Sequence, residues 1–161
     1  MSISYSLGMA TQATPLQVAG QLCDVARSVG LFDPRITPEL VLEEGVVTTT
    51  GLWLRAGEEK PLPWGHPVTA DLGFTPTVSV RFQLGRSSEP SGQQDDMIRL
   101  VSGLLGRDPG DAVLHFQFEV IWLLRRGGDL SLNERDDVWP PHRLAAVSQP
   151  YRRATFTFAE E

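Results

Sequence analysis

Residues 77–106 read TVSVRFQLGRSSEPSGQQDDMIRLVSGLLG, a strand and a helix joined by a polar loop. Val78, Val80, Phe82 and Leu84 alternate with Thr77, Ser79, Arg81 and Gln83. A period of two marks a half-buried strand, apolar toward a core and polar toward water, as antiparallel sheets often are. After the loop at 85–92 the period changes: Met97, Leu100, Val101, Leu104 and Leu105 recur at helical spacing. Ser91 and Gln94 have the spacing of a capping box, and Asp95 and Asp96 fall in the first turn, where the helix dipole favours acid. Asp95 and Arg99, four apart, are expected to pair. Gly106 is placed to close the helix.

Upstream, the chain opens with the same alternation: Ile3, Tyr5, Leu7 and Met9 against Ser2, Ser4, Ser6 and Gly8. A second helix follows. Thr14 is its N-cap, Pro15 its first residue and Gln17 completes a capping box, with Val18, Leu22, Val25, Ala26 and Val29 on one face and Gly30 at the end. Thr37-Pro38-Glu39 predicts a short helix through Leu42, and Val46 to Leu54 a strand or hairpin. Residues 56–76 hold four prolines and read as a long loop. Downstream, Leu114, Phe116 and Phe118 alternate with Val113, His115 and Gln117; Val120–Leu124 and Leu130–Leu132 flank the hairpin signal Gly127-Gly128. His142 to Val147 predicts one or two helical turns, and Ala154 to Phe158 a closing strand.

The expected fold class is α+β: an antiparallel β-sheet with two main α-helices packed on one face. No repeat or linker splits the 161 residues, so 1–161 is expected to be a single globular domain. Fourteen basic residues against 20 acidic ones give a net charge of -6, which argues against a partner with a phosphate backbone, so no nucleic acid is expected. No apolar run approaches the ~20 residues needed to span a bilayer, and a start without a basic segment, with one cysteine in the chain, points to the cytoplasm. Among the basic residues Lys60 is the only lysine, which reads as codon usage.

No catalytic set is legible. His66, His115 and His142 are too widely spaced to fix a metal site locally. His66 and His142 are expected in solvated segments, and His115 on the polar side of its strand. Cys23, beside the apolar helix face, reads as a packing residue. There is no nucleophile motif and no phosphate cradle. The doublets Glu43-Glu44, Asp95-Asp96 and Asp136-Asp137 read as solvated faces or caps, Arg125-Arg126 as strand-edge charge beside a turn, and Arg152-Arg153 as protection of an edge strand. Neither a metal nor a cofactor is expected.

Two recognition surfaces remain. Asp129, Glu134, Asp136 and Asp137 precede Trp139, and acids around an aromatic make a protein-binding patch in which the ring anchors and the charges steer. The other reading is a solvated loop whose tryptophan plugs the core. Trp64, between Pro63 and Gly65, either anchors the long loop or awaits a partner. The acid is concentrated: residues 39–60 carry five acids against two bases, and 129–137 four against one.

Residues 109–133, PGDAVLHFQFEVIWLLRRGGDLSLN, together with Val138-Trp139-Pro140, Gln149-Pro150-Tyr151, residues 72–80 and the opening Ile3 to Thr11, resemble the Sit-type immunity proteins. That family is associated with polymorphic toxins exchanged between bacterial cells. The resemblance implies a small cytoplasmic inhibitor with a protein partner, and a basic toxin domain would suit an acidic inhibitor. It carries over no catalytic residue. The alternative is a small-ligand-binding or enzymatic α+β domain with its site under the 56–76 loop.

Overall fold

Alternation in strand β1 (Ser4–Ala10) turns Tyr5, Leu7 and Met9 into the core, and that strand lies at the middle of the sheet. The structure is a computed structural model and describes residues 3–60, 66–85 and 90–158. Among these residues there are eight strands in one sheet, in the order β2-β3-β4-β1-β5-β6-β7-β8. The others are β2 (Val46–Val47), β3 (Trp53–Glu58), β4 (Val78–Gln83), β5 (Asp111–Phe116), β6 (Val120–Arg126), β7 (Asp129–Leu132) and β8 (Arg152–Arg153). Every pairing is antiparallel except that of β7 with β8. The fold is α+β, as the two periods in residues 77–106 imply.

Helix α1 (Pro15–Ser28) starts as its sequence requires. The Thr14 hydroxyl accepts the Gln17 N–H, and the Gln17 side chain accepts the Thr14 N–H, which satisfies two of the donors a helix start leaves open. The other long helix is α4 (Pro90–Leu105); α1 and α4 share one core with the inward residues of the sheet. The two helices approach closely at Gly103, where a Cβ would stand 2.4 Å from Val25 Cγ1. Short helices α2 (Pro38–Glu43), α3 (Pro67–Leu72) and α5 (Pro141–Leu144) complete the set. The hairpin expected within Val46 to Leu54 is β2–β3, and the proline-rich stretch contains α3.

A second apolar cluster lies on the other face of the sheet. Val68, Leu72 and Phe74, from α3 and the residues after it, pack on Val113, Ile121 and Leu124, with Phe156 and Phe158 against them. Strands β5 and β6 are therefore covered on both faces, which is why β6 reads as a continuous apolar run. A bulge serves this arrangement. Leu114 is opposite Leu123 but His115 is opposite Ile121, so Trp122 is the extra residue. Trp122 and Leu123 both join the helix-side core, while Ile121 and Leu124 join the other.

Several expectations are corrected. Helix α4 begins at Pro90, so Ser91 lies inside it; Ser91 and Gln94 form no capping box and instead accept hydrogen bonds from Arg143. Arg99 pairs with Asp96 at 3.0 Å, because Asp95 is taken by Arg143. Asp96 is buried and accepts from Thr50 Oγ1, so this doublet is not a solvated face. The closing strand is Arg152–Arg153 rather than Ala154 to Phe158, since Phe156 and Phe158 leave the ladder for the second cluster. Arg125 is buried and donates to the carbonyls of Gly110, Leu105 and Asp108, so it ties the end of α4 to the β5–β6 hairpin rather than charging an edge.

The histidines also differ from expectation. His66 is buried: its Nδ1 accepts the Val68 N–H at the start of α3, and its Nε2 lies 2.5 Å from Glu59 Oε1. His115 is buried as well, and it supports the β5–β6 turn. Gln117 and Phe118 have φ of 51° and 60°, and the Glu119 N–H reaches the Phe116 carbonyl at 2.8 Å. Two positive-φ residues make the turn that matches strand twist, normally reserved for Asn and Gly. His115 Nδ1 accepts the Phe118 N–H at 3.0 Å, and the Phe118 ring stacks on the imidazole at 4.2 Å.

Burial, and after it the neighbouring His66, pulls His115 down to about 4 from the usual 6.5. The imidazole stays neutral in the fold but takes a proton in the unfolded chain below 6.5. Its contribution is intact above pH 6.5 and is lost as the pH falls toward 4, by up to about 3 kcal/mol. Urea unfolding across that window is expected to show a steeper fall for the native chain than for His115→Gln. Parallel curves would assign the acid sensitivity to other groups.

Candidate partner-binding groove

A groove of about 330 Å³ opens at the end of the sheet where β1 begins. Its apolar lining is Ile3, Phe116, Val120 and Val138, with Tyr5 and Trp122 beneath. Gln94 closes one side and the Arg135–Asp137 pair forms the rim. Ile3 is 42% exposed, a large aliphatic side chain left in water beside aromatic rings.

The floor is an aromatic stack held by polar contacts. Tyr5 meets Phe116 at 5.3 Å and Trp122 edge-on at 5.0 Å, and Trp122 meets Trp139 at 6.3 Å. The Tyr5 hydroxyl accepts from Gln94 Nε2 at 2.9 Å, and burial raises the phenol above its ordinary range. Trp139 Nε1 donates to the Trp122 carbonyl at 2.8 Å.

Behind this floor lies Arg143, 2% exposed. Its Nε donates to Asp95 at 2.6 Å, Nη1 to the Val138 carbonyl at 2.8 Å, and Nη2 to Ser91 at 3.1 Å and Gln94 at 3.3 Å. The guanidinium also sits 5.4 Å from the centre of the Trp122 ring. One side chain thus joins α5, α4 and the loop that supplies the rim. His142, expected to be solvated, is mostly exposed and reaches the other oxygen of Asp95 at 3.1 Å.

The acidic residues singled out from sequence divide. Glu134, Asp136 and Asp137 share the turn after β7 and are exposed. Asp137 is bound by Arg135 through two hydrogen bonds of 3.0 and 2.6 Å, and that guanidinium holds its carboxyl below the usual range. Asp136 has no ion-pair partner among the described residues, and the side chain of Glu134 has none either. Asp129 stands at the other end of β7, beside the Gly127-Gly128 turn, where it pairs with Arg152 at 2.8 Å. Trp139 is 1% exposed, which corrects its place as a surface anchor: the ring fills the core and its N–H is already spent. Trp64 lies outside the described residues.

Sequence reasoning missed the apolar part of the groove. Ile3, Tyr5, Phe116 and Val120 obey strand alternation, which announces a core, and nothing in that pattern says that one strand end projects past its cover. Arg143 had no signal either, since its side-chain partners Asp95, Ser91 and Gln94 are 48, 52 and 49 residues away along the chain. Among the described residues no group of three or more His, Cys, Asp or Glu side chains could hold a metal. No described helix is long and apolar enough to cross a membrane. Of the 56–76 stretch, under which the alternative reading placed a ligand, the part in α3 packs Val68 and Leu72 against β5 and β6.

A family model described as SitI3-like matches residues 3–143. The chain belongs to the SitI3-like family. The match runs from the first strand to Arg143, and so takes in both the groove and the guanidinium behind it. It agrees with the resemblance to Sit-type immunity proteins carried by residues 109–133. No curated protein and no solved structure matches the chain.

Replacing Arg143 with Met is expected to cost about 3 kcal/mol, because it strands a partly buried Asp95 carboxylate and frees the Val138 carbonyl. Adding Asp95→Asn removes the stranded charge and should recover at least ~1 kcal/mol of that loss. Urea denaturation of the two variants checks both figures. A double variant no more stable than Arg143→Met would mean that Asp95 is solvated rather than held.

Proposed function

We propose that this chain is a non-catalytic binding protein that neutralises a toxin domain in the cytoplasm, using the groove and its acidic rim. The observation that carries the reading is membership of the SitI3-like family over residues 3–143. The groove supports it with the anatomy of a recognition surface: an exposed Ile3 and half-buried Phe116 and Val120 over an aromatic floor, bordered by charge. Glu134 and Asp136, exposed and without an ion-pair partner among the described residues, flank the rim residue Arg135 along the chain, so a basic toxin domain is the complementary partner, steered by charge and anchored by apolar contact. Asp129 lies too far along β7 to share that contact directly, and acts only through the wider field.

The product of the gene adjacent to this one is the partner to test. Co-purification, and survival of cells that produce both proteins, is the expected outcome; neither binding nor protection would sink the proposal. Glu134→Lys with Asp136→Lys should weaken binding by about tenfold, mostly through slower association. Melting should hardly change, since exposed substitutions cost within ~0.5 kcal/mol. Unaltered affinity in that variant would move the interface away from the rim.

A further inference from the structure

The face of the sheet turned away from α1 and α4 is covered at β5 and β6 by α3 and at Gly8 of β1 by Pro76, whereas Arg55 of β3 and Arg81 of β4 are exposed on it. Its outward residues there are small or polar: Ser4, Ser6 and Gly8 on β1, and Ser79, Arg81 and Gln83 on β4. On this face Arg55 of β3 is directly opposite Arg81 of β4. Like charges in such a position destabilise a strand pair. The fold supplies no acid to neutralise them: among the described residues neither arginine enters an ion pair. Arg55 spends its Nε on the Leu42 carbonyl at 3.2 Å, and the Arg81 side chain makes no hydrogen bond with the described residues.

Both arginines border a depression of about 450 Å³. Gly57 and Ser79 face each other across its floor, and no atom lies within 4 Å of where a Gly57 Cβ would stand. Lys60 is a third cation at the rim. Of the two carboxylates there, Glu59 is turned to His66, which leaves Glu58.

We infer that Arg55 and Arg81 form an anion site that takes a carboxylate from an acidic protein segment. Two adjacent guanidinium forks match the planar, two-oxygen geometry of a carboxylate. Three cations outnumber the two carboxylates around the depression, so it attracts anions, and its open floor distinguishes a carboxylate carried on an extended chain from a free phosphate. The open glycine and serine floor admits a peptide backbone beside the bound side chain. This site lies on the opposite face from the groove, so it stands whether or not the groove binds a toxin. It gives an acidic protein one basic contact point, suited to an acidic stretch on a partner.

The test is calorimetric titration of the full chain at low salt with N-acetyl-hexaglutamate amide, and separately with inorganic phosphate. Hexaglutamate is expected to bind, and Arg81→Gln to weaken it at least ~5-fold with a melting temperature no lower than that of the native chain, because the substitution removes no side-chain bond within the described residues and relieves the repulsion from Arg55. Arg81→Lys, which keeps the charge but loses the fork, should also bind less tightly than the native chain. Amide shifts on peptide addition should centre on Gly57 and Ser79. No binding of hexaglutamate, equal binding by Arg81→Gln, phosphate binding tighter than the peptide, or shifts centred elsewhere would each overturn the inference.

Discussion

The groove depends on a single buried cation. Arg143 is enclosed by Trp122 on one side and by Asp95, Ser91, Gln94 and the Val138 carbonyl on the others. A guanidinium removed from water must have its donors met, or the loss of hydration makes burial prohibitive. Its partners come from α4 and from the segment entering α5, so satisfying one side chain fixes the spacing of both. Arg125 does the same at the other end of α4, where it gathers three backbone carbonyls. These two arginines hold α4 at its start and at its end, and the sheet end beneath it is rigid as a result. A lysine could not replace either: it has a point charge where the contacts need a planar fork.

Local chemistry was well legible in the sequence. Strand alternation located β1, β4 and β5, although it ran on through Gln117 and Phe118, which lie in the turn after β5, and the Thr14 capping box and Thr37-Pro38 located the starts of α1 and α2, because those signals act over a few residues. What failed had distant partners. Asp95 looked like the mate of Arg99, yet a carboxylate pairs with the better-desolvated cation, and Arg143 approaches from another element. Ser91 had the spacing of a cap, but α4 starts one residue earlier and the hydroxyl faces Arg143. His66 in a proline-rich stretch reads as solvated, though its ring is what caps α3. The groove was half legible: Glu134, Asp136 and Asp137 were visible as charge, whereas its apolar lining was indistinguishable from core.

Charge is distributed to match. Much of the acid is engaged: Asp129 with Arg152, Asp137 with Arg135, Asp96 with Arg99, Asp24 with Arg107. The exposed pairs among these contribute little to stability, whereas Asp96 is buried; all of them set which charges remain to be felt at a distance. At the turn after β7 the remainder is Glu134 and Asp136, chain neighbours of the rim residues Arg135 and Asp137. A net charge of -6 is therefore less informative than the two carboxylates that stay free next to an apolar groove.

The family match stops at Arg143, but the chain beyond it has structural work. Strand β8 joins β7 in parallel, and Phe156 and Phe158 then cross to the outer cluster, where Phe158 meets His115 edge-on at 5.5 Å and Phe118 at 5.4 Å. Without those rings Val113, Ile121 and Leu124 would lose part of their cover, and the imidazole that supports the strained β5–β6 turn would gain access to water. Desolvation is what keeps His115 neutral, and a neutral His115 is what accepts the Phe118 N–H. The residues after Arg143 therefore act on the hairpin that carries Phe116 and Val120 into the groove. The tail and the groove end of the sheet are linked through one buried histidine, although no described residue of the tail lines the groove.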